Sequence, residues 1–421
     1  MQHEKFGSQV VGAEPTWYRG LPTPYYTQSH VEFRAKVRAF VEAKIKPFVD
    51  DWLESGQGYP TSLHKEFYDL GLGGILFPQE FGGSLETHDY FHRVILWDEL
   101  ARCGGGMAFA QLSVNSMALP PILFAGSDEL KQRVAPGVVR GEKFICLAIS
   151  EPLAGSDVSN LSTTAVRNAE GKWIINGQKK WISGAAQSDY ITVAARTADS
   201  GMMGLSLFLV EAKQPGVKVR KMKTQFDSCH STCFVTLEDV QVTDAEMIGE
   251  ENMGFMYLVQ NFNKERHTIA ISALRQARIL YEETFRWARS RKTFGETLVS
   301  HQLVRYKLAE MLRMIDSTQD QVDRIAFQFK CGMSDMDMAI DCSLVKVNAS
   351  LCFEYAAKEA AQIFGGSSLV SEGQGKTVER LYREVLATKI PGGAQDIIMD
   401  FAAREVVRLA KKEEKKQAAK L

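Results

Sequence analysis

The sequence predicts an α+β chain with a helical N-terminal part, a middle part of short strands and a C-terminal helical bundle. Three observations carry this. Apolar residues recur at helical spacing before residue 145, as in Phe33, Val37, Phe40, Val41 and Ile45. Near 145 the pattern changes to short runs bounded by polar turns: YITVAAR, LSLFLVEA, VKVRKM and CFVTLEDVQV. From about 254 the helical period returns in four long segments joined by short connections, the arrangement of an up-down bundle.

Taken in order, residues 1–28 carry Pro15, Pro22 and Pro24 among Trp17, Tyr18, Tyr25 and Tyr26, which reads as an extended aromatic arm packed on the body. Residues 29–144 are the N-terminal helical domain. Ser29-x-x-Glu32 predicts a capping box that opens its first helix, and Pro47 should break or kink that helix. Further helical patterns cover 61–71, 88–103 and 127–140. Residues 145–253 form the β domain. Within it, Asn176-Gly177 in KWIINGQKKWIS predicts a type I′ hairpin. The bundle, 254–410, takes its helices from 254–290, 299–329, 336–365 and 373–388. A Lys/Glu-rich tail closes the chain over 411–421.

The 421 residues suffice for two or three domains with a large core. A composition 45% hydrophobic and 24% charged is globular, and a net charge of -1 gives no overall pull toward nucleic acid or anionic membranes. The longest apolar runs are far shorter than the roughly 20 residues of a membrane span. Seven scattered cysteines fit reduced thiols in an intracellular compartment.

No GxGxxG follows a strand, and neither a P-loop nor a GxSxG elbow is present. Three other segments offer chemistry. CLAISEPLAGSDVSNLSTTA (146–165) presents backbone N–H groups and hydroxyls to a polar ring or phosphate, or is an ordinary polar loop. QKKWISGAAQSDY (178–190) sets an aromatic two residues before Ser183. RSRKTFGETLVSHQ (289–302) could grip a pyrophosphate where a helix breaks at Gly295, or is a solvated basic turn. Cys229-His230-x-x-Cys233 lacks a second pair at metal spacing, and His88 and His92 read as packing or surface residues, so no metal is expected.

In order and spacing these segments resemble the acyl-CoA dehydrogenase flavoproteins over about 30–405. The motifs that carry the resemblance are Ser150-Glu151-Pro152-Leu153-Ala154-Gly155-Ser156-Asp157, Trp181-Ile182-Ser183, Arg291-Lys292-Thr293-Phe294-Gly295 and Gln362-Ile363-Phe364-Gly365-Gly366. The resemblance implies a helical domain, an antiparallel β-barrel domain and a four-helix bundle, with FAD as cofactor. It implies that Leu147, Ile149, Ser150, Trp181 and Ser183 line the isoalloxazine ring, with the Ser183 hydroxyl toward N5, and that Ala394 and Asp396 lie beside it. Ser156, Asn263 and Arg266 would contact the CoA substrate. Arg291, Phe294, Gln302, Gln362 and Gly366 would hold the ADP half of FAD in a neighbouring subunit. That arrangement makes a homo-oligomer, a dimer of dimers, part of the site.

The chain departs from the family pattern at two places. Many members carry the catalytic carboxylate in a C-terminal loop, which here reads Ile390-Pro391-Gly392-Gly393-Ala394-Gln395-Asp396, with Gly392 where the glutamate would stand. Isovaleryl- and long-chain-type members place the base on the first long bundle helix instead, and Glu265 of FNKERHTIAISAL aligns there. Helix neighbours project about 100° apart, so Lys264 and Arg266 need not neutralise it. Phe262 and Ile269 share its face, and desolvation should favour a base. The second departure is Ser228 and His230, where many members have other residues, which puts local CoA or subunit contacts in question.

The expected reaction is α,β-dehydrogenation of an acyl-CoA to trans-2-enoyl-CoA. The electron acceptor is electron-transfer flavoprotein or, in an oxidase, O2. A non-catalytic nucleic-acid-binding flavoprotein is the reading from another class, against which the neutral charge speaks. Ala419-Lys420-Leu421 resembles a peroxisomal address, and this predicts peroxisomal rather than cytoplasmic placement.

Overall fold

The computed structural model describes residues 5–56, 58–103, 110–199, 201–226 and 231–418. Ser228, His230 and Ala419-Lys420-Leu421 lie outside the described residues. The chain divides into two compact units. One comprises Ala35–Leu96 and Met107–Phe262; the other comprises Met1–Arg34, Trp97–Gly106 and Asn263–Leu421.

Helices α1 (Gln28–Phe40), α2 (Val49–Ser55), α3 (Ser62–Asp69), α4 (Tyr90–Leu100), α5 (Ala110–Ala118), α6 (Pro120–Ala125) and α7 (Asp128–Val139) precede the strands. The α1 helix starts one residue before the expected cap. There the Thr27 N–H donates to His30 Nδ1 at 2.8 Å, so Ser29 lies inside the helix rather than at its N-cap. A π-helical turn, Val41–Ile45, ends the run ahead of Pro47.

The strands are β1 (Ile145–Ala148), β2 (Thr164–Arg167), β3 (Trp173–Ser183), β4 (Tyr190–Arg196), β5 (Leu205–Glu211), β6 (Val217–Lys221), β7 (Thr232–Val242) and β8 (Met247–Ile248), followed by the short helix α8 (Gly254–Val259). They form one sheet in the order β6-β7-β3-β2-β4-β5-β8, with β1 also on β4. Five pairs are antiparallel, as expected, while β1 and β2 each pair with β4 in parallel. Among the described residues the end strands β6 and β8 do not pair with each other, and the sheet curls round a core lined by β3, β4, β5 and β7. Both faces of β5 are covered. Leu207 and Leu209 join a core with Ile122, Val134 and Val138 of the helices, while Phe208 and Val210 join the opposite core with Ile175, Val193 and Val235. Burial on both faces explains the unbroken apolar run of LSLFLVEA.

The hairpin expected at Asn176-Gly177 is not there. Both residues lie inside β3, where a bulge shifts the register against β7. Gly177 has φ +156°, and a Cβ there would stand 2.3 Å from Thr163 Oγ1, so close approach of the chain demands glycine. Asn176 exchanges hydrogen bonds with Asp239 of β7 at 3.0 and 2.8 Å. The reverse turn falls at 168–172 instead, where Asn168 Oδ1 accepts the N–H groups of Glu170 and Lys172. The sequence pair supplied the right backbone freedom, but tertiary pairing used it for a bulge.

The second unit is built on α9 (Phe262–Ser290), α10 (Gln302–Lys330), α11 (Ala339–Phe364), α12 (Lys376–Lys389) and α13 (Gln395–Ala418). The α11 helix is central and packs on α10, α12 and α13. Its Ala349, Ala356, Ala357 and Ala360 are buried, and small side chains let the neighbouring helices come close. The fifth helix, α13, continues through 411–418, into the stretch expected as a charged tail. The N-terminal aromatic segment packs within this unit: Trp17 stacks on Tyr26, and the Arg34 guanidinium lies 3.9 to 4.6 Å from the rings of Phe6, Trp17 and Tyr18. Fully buried Arg275 ties α9 to Glu14 at 2.7 Å and to Asp98.

Candidate functional site

In the sheet unit, β1 runs into the loop that carries Ile149, Ser150 and Glu151. Leu147 and Ile149 are half-buried against the helical core. Glu151 faces inward and accepts four hydrogen bonds. Lys179 Nζ (2.8 Å) and the Thr163 N–H (2.9 Å) donate to one oxygen, and the Ser162 N–H and hydroxyl (both 2.6 Å) donate to the other. Burial opposes its ionisation, but Lys179 and these donors outweigh that and hold the carboxyl down at about 2. Burial pulls Lys179 down to about 8 against the attraction of Glu151. The ammonium also donates to the Ile149 carbonyl at 3.0 Å, and the Lys180 N–H donates to the Ser150 carbonyl at 2.9 Å. The loop is thus stitched to β3 through Lys179 and Lys180. Sequence reading passed over Glu151 and Lys179 as structural groups, although both stand within motifs it singled out.

On β3, Trp181 sits where a second register shift bulges the strand. It has φ +68° and its ring is 53% exposed, with Lys180 Nζ 4.5 Å from the ring centroid. A bulky residue held in the left-handed region with its ring in solvent is poor for folding alone, and such outliers cluster at functional sites. Ser183 pairs with Thr232 across the ladder, and Ser156 is exposed on the loop beyond Glu151.

In the helical unit, Glu265 lies in the first turn of α9 and is 8% exposed. The partial positive charge of a helix N-terminus favours an anion there. Lys264 turns away to Asp335 at 3.0 Å, as helix geometry requires. Arg266 points elsewhere: its Nε donates to the Gly392 carbonyl (3.1 Å) and its Nη1 to Asn263 Oδ1 (3.0 Å) and Ser343 Oγ (3.4 Å), though its charge still attracts Glu265. Asn263 is buried and donates to the Asp335 carbonyl at 2.6 Å. These two expected CoA contacts therefore have internal partners. Gly392 takes φ +69°, and a Cβ on it would lie 2.7 Å from Ile269 Cδ1.

The basic segment after α9 does not simply break the helix. It forms a two-strand hairpin, β9 (Lys292–Thr293) and β10 (Glu296–Thr297), around Phe294 (φ +53°) and Gly295 (φ +85°), the left-handed pair of a type I′ turn. Phe294 is 98% exposed at its tip. Arg291, Gln302 at the start of α10, Gln362 and Gly366 are exposed as well. Ala394 is half-buried, and Asp396 is exposed in the first turn of α13.

Three domain descriptions match the chain in order: the acyl-CoA dehydrogenase N-terminal domain over 27–142, its middle domain over 146–240 and its C-terminal domain over 252–407. The chain belongs to the acyl-CoA dehydrogenase family. The acyl-CoA dehydrogenase apdG of Emericella nidulans is 34% identical, over 97% of this chain and 98% of that one. Among solved structures, a probable acyl-CoA dehydrogenase from Mycobacterium abscessus superposes with TM-score 0.84 at 32% identity, covering 90% of this chain and 99% of that one. An acyl-CoA dehydrogenase of Bacillus anthracis complexed with FAD gives TM-score 0.84 at 26% identity, covering 94% of this chain and 69% of that one. As a member of this family the chain is an FAD-dependent oxidoreductase. Among the described residues, no helix is long and apolar enough to cross a membrane.

Proposed function

We propose that this acyl-CoA dehydrogenase converts an acyl-CoA thioester to trans-2-enoyl-CoA with Glu265 as the base. The observation that carries this is the contrast between two positions. Glu265 is a buried carboxylate in the first turn of α9, whereas position 392 is a glycine in left-handed backbone whose carbonyl is taken by Arg266. No carboxylate stands at the usual loop position, so the proton must go elsewhere.

The residues present suit FAD. An exposed aromatic on a strained bulge (Trp181), a fixed loop with an exposed Ser156, and an exposed Arg291–Phe294 hairpin offer stacking, hydrogen bonds and a cation for a pyrophosphate. Leu147, Ile149, Ser150, Trp181, Ser183, Ala394 and Asp396 would hold the ring, and Arg291, Phe294, Gln302, Gln362 and Gly366 the ADP half from a second copy. An aromatic side chain 98% exposed in strained backbone is what a partner subunit would cover, which favours contact with a second copy of the chain. When bound, FAD supplies the acceptor for the β-hydrogen and its electron pair. Glu265 takes the α-proton as that C–H bond breaks, and the new C=C bond forms between the two carbons. Ser156, Asn263 and Arg266 would orient the thioester and its CoA, with Ser156 the exposed member of the three.

Anaerobic flavin bleaching with a panel of acyl-CoA thioesters tests the reading and reports the chain length preferred. Reoxidation by O2 or by electron-transfer flavoprotein then identifies the acceptor. Glu265→Gln should retain FAD and bind acyl-CoA, while reduction slows by about 10²–10⁴-fold, the usual worth of a positioned acid–base group. Near-normal reduction in Glu265→Gln would show that another group takes the proton.

A further inference from the structure

The turn that links α12 to α13 is Ile390-Pro391-Gly392-Gly393-Ala394, almost without side chains of its own to fix it. Gly392 and Gly393 both have positive φ, +69° and +108°. What fixes the turn comes from other helices. Lys346, two turns into α11 and fully buried, donates to the carbonyl of Lys389 at 2.6 Å and of Gly393 at 2.9 Å. Arg266 of α9 donates to the carbonyl between them in the turn, that of Gly392. Ser350, one helical turn beyond Lys346, donates to the Thr388 carbonyl at 3.2 Å. The last carbonyls of a helix lack partners within it, and here side chains of α11 supply them.

We infer that Lys346, with Arg266, is a positioning residue for the reaction proposed above: the two cations clamp the 389–393 turn and so fix Ala394 and Asp396 relative to Glu265. The inference rests on the proposed function for its catalytic meaning and on the hydrogen bonds for its geometry. Stability alone is a weak reason for this arrangement. A buried ammonium whose hydrogen bonds go to backbone carbonyls has a desolvation cost that an apolar side chain of similar length would avoid. Moreover, Lys346 lies within the field of two other cations, Arg266 from α9 and Lys389 from α12. Lys389 is paired with Glu354 of α11 at 2.8 Å, and Arg266 interacts with Glu265 of α9 and Cys342 of α11. Burial first, then Arg266 and Lys389, lower the Lys346 ammonium to about 8. Lys346 is therefore mostly protonated at neutral pH, and its hydrogen bonds to the two carbonyls hold the turn.

The test compares wild-type holoenzyme with Lys346→Met by anaerobic stopped-flow reduction and by hydrogen exchange of the peptide spanning 386–398. In Lys346→Met, with full FAD content, the limiting reduction rate at neutral pH should fall by about 10-fold or more while acyl-CoA affinity changes by less than about 3-fold, because misplacement of an aligned site slows chemistry more than binding. Amides of 390–394 should exchange faster in the variant. An unchanged rate, or unchanged exchange, overturns the proposal. If Lys346→Met does not fold, Lys346→Gln decides: its shorter amide cannot reach both carbonyls, so slowed reduction with faster exchange of 390–394 supports the clamp, and wild-type values for both refute it. Failure of every thioester to reduce the wild-type flavin would sink the proposed function instead, and the exchange measurement would still judge the clamp.

Discussion

Glu151→Gln should unfasten the loop that carries Ile149 and Ser150, and its cost can be worked from the contacts. Each carboxylate oxygen of Glu151 accepts two donors. A glutamine, in either orientation, turns an N–H₂ toward one of these donor pairs. Lys179 is left buried with the Ile149 carbonyl and no carboxylate. Breaking a buried ion pair from one side costs about 3–5 kcal/mol. For a unit of this size that corresponds to a fall in Tm of about 6–20 °C. The lysine limits the loss, because its pKa is already down to about 8 and falls further once Glu151 is neutral. It can then shed its proton, so the penalty should be larger at pH 6 than at pH 9. Calorimetry at the two pH values, with FAD occupancy measured after dialysis, reads both the stability and the loop. Replacing both partners, Glu151→Gln with Lys179→Met, should recover part of the loss because no unpaired charge remains. A loss below about 1 kcal/mol at pH 6 with full flavin retention would refute the tether, since that is what an exposed pair contributes.

Burial raises the carboxyl of Asp323 to about 7, against the opposing hydrogen bonds of Tyr26 and Gln319. Its folded pKa lies above its unfolded one, so the stability it contributes is full below about pH 4 and is lost as pH rises through 7. Melting curves of Asp323→Asn should lack that decline, and parallel wild-type and mutant slopes would count against it. Moving the base by combining Glu265→Gly with Gly392→Glu should not restore flavin reduction. Position 392 holds left-handed backbone, and its Cβ would press on Ile269 Cδ1; full recovery would show that the turn adapts freely. A fluorescent protein fused at the N-terminus should be punctate and become diffuse when Ala419-Lys420-Leu421 is deleted, whereas a mitochondrial pattern for the intact chain would remove the peroxisomal proposal.

The order of helices, strands and helices was legible because hydrophobic period is local: 3.6 in one stretch and 2 in the next. The family motifs were legible because they are short contiguous stretches of fixed residue types, and Glu265 stood out as the candidate base because the usual loop position holds Gly392. Contacts at long sequence separation were not legible. Nothing in Lys346 or Lys179 distinguishes a buried clamp from a surface lysine until the carbonyls of 389 and 393, or the carboxylate of Glu151, are brought to it. The same holds for Asn176-Gly177, where local propensity permits a turn or a bulge and pairing with β7 selects the bulge. Arg266 next to Glu265 read as a CoA contact, and chain order did not show that its guanidinium also bonds a carbonyl 126 residues away. The sequence by itself determined which elements form and which residue types the site contains. Tertiary structure decided which charges are buried and what each one holds, because desolvation and hydrogen-bond partners depend on neighbours that chain order does not specify.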